Sequence, residues 1–322
     1  MSNVLQRILV PADGSKACEK AIELAIRLAR QYRAEIILCN AVDYVTIAAE
    51  TCVGFGADLA GMFQAIDDGA KEILSAAVKH VKDEGLDASG YKLDGRAPNA
   101  IVSFAMEKNV DAIVMGTRGL GGLPHLMLGS TAEGVLRMAG VPVFVVHADT
   151  DVTAFANPTI LVAVDDSEPG DAAAEFATEL AASASGRLIF ENVVDSESLY
   201  EYAARYGTYI SVIHDEWETE AKRLVGDAAY HAAVAGVAHV EKSVVFGDPA
   251  EKIVAQGRAA HAGLIAIGTH GRRGLRRLAL GSVAETVVRK STVPVVVVRA
   301  YADLKSGKSA DQVDTRAEPI LV

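Results

Sequence analysis

Apolar positions along this chain switch repeatedly between short continuous runs and helical spacing. Arg7–Val10 reads as a short strand, and Ala17–Tyr32 repeats Ala21/Ile22, Ala25 and Leu28/Ala29 on one helical face, with Ser15 near the N-cap. Glu35–Val42 is a second β-rich run, a helical stretch around Asp67–Glu84 follows, and a strand lies near Ser89–Leu93. Pro98 marks the start of a helix. Ala112–Met115 is a strand, Ser130–Met138 a helix and Val143–Val146 a last strand. Strands that alternate with helices and are apolar throughout belong in a parallel sheet covered on both faces. In such sheets ligands bind beyond the carboxyl ends of the strands, at the point where strand order reverses.

The pattern occurs twice. Shifted by 152 positions, Ile8–Ser15 (ILVPADGS) falls on Ile160–Ser167 (ILVAVDDS), and Gly95–Ile101 falls on Gly247–Ile253. Val110–His147 falls on Ala262–Arg299 without a gap, with 19 of 38 pairs identical. Three separated blocks at one offset mean a duplicated domain, and the period is far too long for a solenoid. The expected organisation is α/β: two tandem doubly wound parallel-sheet, Rossmann-like domains at 1–150 and 155–300. A polar linker, Ala148–Pro158, joins them, and a charged tail at 301–322 has no counterpart in the first half. That tail is expected to be mobile, except that Pro319-Ile-Leu-Val could dock. The small-residue segment Tyr44–Ala65 is a candidate cover for a ligand or a partner.

Composition narrows the function classes. The 322 residues carry 42 acidic and 31 basic side chains, a formal charge of −11 that argues against bulk attraction to nucleic acid or anionic lipid. The purest apolar runs are about six residues long, against the roughly 20 that a membrane span needs. The first residues, MSNVLQRILVPADGS, lack the n-region and h-region of a signal peptide. Cys18, Cys39 and Cys52 form neither a CxxC pair nor an even set, which suggests a reducing cytoplasm, with Cys18 and Cys39 read as small core residues.

The chemistry concentrates in two glycine loops. Gly116-Thr-Arg-Gly119, nine residues, then Gly129-Ser130 is repeated as Gly268-Thr-His-Gly271, nine residues, then Gly281-Ser282. Each leaves an apolar strand and ends at a helix start, where glycines allow close backbone approach and free amides favour phosphate. The competing reading, glycines that only make tight turns, accounts less well for a spacing kept twice over differing residues. Asp13 and Asp165 follow the first strand of each copy; each could accept hydrogen bonds from ribose or base, or serve helix capping beside Ser15 and Ser167.

These phrases closely resemble the universal stress protein family, whose glycine–two–glycine–nine–glycine–Ser/Thr signature both halves match. The resemblance covers nearly 300 residues. It implies two adenine-nucleotide-binding α/β domains of the adenine-nucleotide alpha-hydrolase-like type, with ATP, alone or with Mg2+, as the cofactor. By it Asp13 and Asp165, within Pro11-Ala12-Asp13 and Ala163-Val164-Asp165, contact ribose or base. Ala41 and Val193, with Met115 and Ile267, line the adenine. Ribose and phosphates fall to Gly116, Arg118, Gly119, Gly129, Ser130 and Thr131 in one half. In the other they fall to Gly268, His270, Gly271, Arg272, Gly281, Ser282 and Val283. Val283 departs from the pattern, offering a backbone N–H where Thr131 has a hydroxyl.

Other chemistry is thin. No Walker A, HExxH or GxSxG sequence occurs, GxGxxG fails at Gly54-Phe-Gly56, and Asp13 and Asp165 could position magnesium, although one carboxylate per site gives weak grounds for it. The expected function is therefore a nucleotide-binding, stress-response regulatory module with no assigned catalytic residue. Slow ATP hydrolysis or autophosphorylation is one alternative, and a nucleotide-free interaction scaffold another. The resemblance further implies pairing of the two domains through Val143–Val146 and Val295–Val298, with a homodimer left open. Arg272, Arg273, Arg276 and Arg277 replace Leu120, Gly121, Pro124 and His125, so the second loop is expected to hold phosphates more tightly.

Overall fold

In a computed structural model, the described residues are 4–51, 59–117, 119, 128–156, 158–207, 209–271, 280–300 and 317–320. They divide into two compact units, Met1–Asp149 with Gly307–Val322, and Thr150–Ser306.

The first unit runs β1 (Arg7–Pro11), α1 (Lys16–Tyr32), β2 (Glu35–Val42), α2 (Tyr44–Thr51), α3 (Leu59–Asp83), β3 (Ala88–Asp94), α4 (Ala97–Glu107), β4 (Ala112–Gly116), α5 (Ser130–Met138) and β5 (Val143–Val146). Its parallel strands lie in the order β3-β2-β1-β4-β5, with Ile8 beside both Ile36 and Ala112. Helices cover the sheet, so Ile8, Leu9, Val10 and Val143–Val146 are buried. Ser15 caps α1 by accepting from the Cys18 N–H.

The second unit opens with a 3-10 turn (Thr153–Ala156). It continues through β6 (Thr159–Ala163), α6 (Glu168–Ala184), β7 (Arg187–Asp195), α7 (Ser196–Tyr206), α8 (Ile210–Val234), β8 (His239–Gly247), α9 (Pro249–Ala259), β9 (Leu264–Gly268), α10 (Ser282–Lys290) and β10 (Val295–Val298). The strand order β8-β7-β6-β9-β10 repeats that of the first unit. Asp248 caps α9 and Pro249 occupies its first turn, as Asp-Pro at a helix start should. Both units are doubly wound parallel α/β sheets, and in each the strand order reverses at the first strand.

Two segments go beyond the periodic pattern. Within Tyr44–Ala65, residues Tyr44–Thr51 form α2 and α3 begins at Leu59, while 52–58 lie outside the described residues. Within the tail, Ala317–Ile320 form a strand, β11, paired antiparallel to β3 with Pro319 opposite Tyr91. A proline is tolerated there because β11 is an edge strand. The physical anchors are Ile320, packed on Gly90, and Glu318, 3.4 Å from the buried Lys92 ammonium that also pairs with Asp67 at 3.1 Å.

Candidate functional site

The turn after β1 is built to present a carboxylate. Ala12 donates its N–H to Cys39 O (2.7 Å), and the Asn40 side-chain amide donates to Ala12 O (2.6 Å). The second unit repeats the clamp: Val164 N–H donates to Glu191 O (3.0 Å) and Asn192 Nδ2 to Val164 O (2.7 Å). Asp13 Oδ1 accepts from the Ser15 N–H at 3.0 Å, and Asp165 Oδ1 accepts from the Ser167 hydroxyl. One oxygen of each carboxyl therefore serves the turn. The next residue is left-handed in both units, Gly14 at φ 76° and Asp166 at φ 61°.

The other oxygen meets the glycine loop. A Cβ on Gly119 would lie 2.5 Å from Asp13 Oδ2, and one on Gly271 2.6 Å from Asp165 Oδ2. The second glycine of each motif thus lets backbone approach the carboxylate. The first does something else. A Cβ on Gly116 would meet Ala17 backbone at 2.8 Å, and one on Gly268 would meet Pro169 backbone at 2.6 Å, so these glycines seat the strand end on α1 or α6.

The loops close on helix N-termini. Gly129 N–H donates to Thr117 O and Gly281 N–H to Thr269 O, both at 2.8 Å, which anchors the start of α5 and of α10. Among the described residues neither helix has a side-chain cap, unlike α1, α6 and α9. First-turn amides at Ser130–Thr131 and Ser282–Val283 are therefore available to an anion. Ser130 and Ser282 are exposed, and Thr131 and Val283 half-buried.

In the second unit these parts surround a cavity of about 790 Å³. Ala163, Val164 and Asp165 line it from β6, Val193 from β7, and Ile267 and Gly268 from β9. His270, Gly271, Gly281, Ser282 and Val283 line it on the loop side, and Glu191 and Asp195 of β7, Trp217, Glu220 and Leu224 of α8 and Pro249 and Ile253 of α9 line it as well. His270 Nδ1 lies 3.1 Å from Thr269 Oγ1, while its Nε2 is buried without a hydrogen-bond partner among the described residues. In the first unit, Met115 is buried at the end of β4, and Pro11 and Ala41 are half-buried at the ends of β1 and β2, the edge that carries Asp13. Arg118 and Arg272, with the other expected loop arginines, lie outside the described residues.

The model of the universal stress protein family matches residues 5–147 and again 157–299. The chain belongs to the universal stress protein family. A universal stress protein of Mycolicibacterium smegmatis is 28% identical over 303 residues, covering 91% of this chain and 96% of that protein. One from Mycobacterium tuberculosis H37Rv is 31% identical over 241 residues, covering 72% and 78%. The crystal structure of a universal stress protein from Archaeoglobus fulgidus superposes with a TM-score of 0.67 at 21% identity, over 93% of this chain and all of that one. This last likeness concerns the fold.

Two kinds of residue in this universal stress protein escaped sequence reasoning. Asn40 and Asn192 hold the carboxylate turns, and the signal was available, since they coincide under the 152-residue shift. Glu191 is 1% exposed, lines the cavity, and stands where the first unit has Cys39. A glutamate inside the apolar run Leu188-Ile-Phe-Glu-Asn-Val-Val was its only sequence signal. Cys18 and Cys39 are buried, and burial pushes both thiols up, so they stay protonated. No helix of the described residues is long and apolar enough to cross a membrane.

Proposed function

We propose that this protein binds adenine nucleotide, ATP in the first instance, at the carboxyl edge of each sheet, and acts as a nucleotide-responsive regulatory module. One observation carries the reading. The second unit's cavity joins an apolar wall (Val193, Ile267), a carboxylate (Asp165) and an uncapped helix N-terminus (Gly281-Ser282). An apolar slot suits a base, a carboxylate suits ribose hydroxyls, and helix amides suit phosphate. Asp13, Gly119 and the α5 N-terminus repeat the polar part in the first unit.

The test is to heat-extract freshly purified protein and assay the supernatant for adenine nucleotide, then titrate ATP by calorimetry into Gly119→Val and Gly271→Val chains. Each substitution crowds one carboxylate. Retention of one class of sites in each variant supports the reading; ATP binding that ignores both substitutions overturns it. Hydrolysis at about 1 per second or faster would replace the module with an enzyme.

A further inference from the structure

The second unit's cavity carries a buried carboxyl where the first unit has Cys39. On β7, Glu191 lies two residues before Val193, on the same face of the strand, and its Oε2 accepts from the Ser243 hydroxyl at 3.0 Å. Its Oε1 is buried and has no hydrogen-bond partner among the described residues. The register partners Glu191 and Ser243 replace Cys39 and Tyr91 of the first unit. A buried carboxyl oxygen without a donor is costly, and Glu191 is one of the residues that line the cavity, so a donor on the occupant would relieve that cost.

Resting on the nucleotide reading above, we propose that Glu191 is a specificity-determining residue of the second site, accepting a hydrogen bond from the exocyclic amine of the bound base. The cavity fixes which end of the ligand it meets. Phosphates belong at Ser282 beside β9 and ribose at Asp165 beside β6, which leaves the base at β7, where Val193 and Glu191 lie. An adenine amine donates there, whereas a purine with a carbonyl oxygen in that position sets acceptor against acceptor.

Burial pushes the Glu191 carboxyl up to about 7, against the Ser243 hydrogen bond and the positive charge of Lys252 on α9, which lower it. The other titratable groups lining the cavity are Asp165, Asp195, Glu220 and His270. An amine donor stabilises the carboxylate, so binding releases a proton below about pH 7 and ATP affinity rises with pH. Return of the group to its ordinary carboxylate range makes binding about tenfold tighter at pH 8 than at pH 6.

The experiment is calorimetric titration of ATP and ITP into full-length Gly119→Val protein, with Glu191 intact or as Glu191→Gln, at pH 6 and pH 8. The phosphates also titrate in this range, and the glutamine variant subtracts their share. With Glu191 intact, ATP gains about tenfold more from pH 6 to pH 8 than in the variant, and is preferred over ITP at pH 8. Glutamine, which can turn either its donor or its acceptor to the base, abolishes both effects. A second variant, Ser243→Ala, withdraws the donor from Oε2 and moves the midpoint of the pH dependence upward. If ATP binds but the pH response and the ATP-to-ITP ratio are the same with Glu191 intact and with Glu191→Gln, the proposal fails and the nucleotide reading stands. If no variant and no wild-type chain binds either nucleotide, both fail.

Discussion

Asn192 reaches across from β7 to the Val164 carbonyl, and Asn40 makes the same reach from β2 to Ala12. Asn192→Ala leaves that carbonyl without its donor, and the expected cost is about 1–3 kcal/mol, read from the urea midpoint. Looser Asp165 placement should weaken ATP binding in parallel. The glycines give a sharper contrast. Gly271→Ala meets only the tip of the Asp165 side chain, so it should weaken nucleotide binding while leaving the melting temperature nearly unchanged. Gly268→Ala meets Pro169 backbone and should cost about 1–3 kcal/mol of stability by overpacking. Similar stability losses in the two variants would refute this division of labour. From sequence the two glycines are alike, because a spacing pattern records that a side chain is excluded but not what excludes it. Asp13 and Asp165 were legible as candidates; the structure shows one oxygen of each serving its turn and the other facing the glycine loop, and the ribose contact belongs to the proposed function.

At the level of elements, the strands and the long helices were legible because their apolar periods are clean and their starts carry Ser, Asp and Pro caps. α2 was not. Val45, Thr46 and Ile47 are β-branched, and their propensity argues against the helix they form. β11 was half-legible, since only the apolar end of the charged tail suggested docking. Its partner on β3 comes from far along the chain, and local pattern carries no such pairing. Burial lowers the Lys92 ammonium, but hydrogen bonds to Asp67 and Tyr44 outweigh this and hold it above its ordinary range. A charged anchor is therefore in place for Glu318. A chain ending at Ser306 should uncover the β3 edge, lower the melting temperature and raise light scattering through edge pairing. Unchanged melting and scattering would show that β11 does not protect that edge.

For the whole molecule, the raised Glu191 carboxyl makes stability depend on pH in a definite direction. Between the ordinary carboxylate range and about 7, the unfolded chain has released a proton that the folded chain keeps, so stability falls as pH rises through that window and is level above it. Glu191→Gln should flatten this slope, by about 1–3 kcal/mol between pH 5 and pH 8 in urea unfolding of ligand-free protein. An identical slope in both proteins would assign the pH dependence to other groups. The duplicated pattern made both units legible, yet duplication also hid the difference between them, because the matched motifs lie on the loops and the divergence lies beneath, at Cys39 and Glu191. Under the proposals above, that single exchange would give one polypeptide two gauges with different inputs. The first half would answer to nucleotide concentration; the second would answer to concentration weighted by acidity. Below saturation their occupancies would rise and fall together with nucleotide supply, so the quotient of the two would be a readout of proton activity with its own built-in reference.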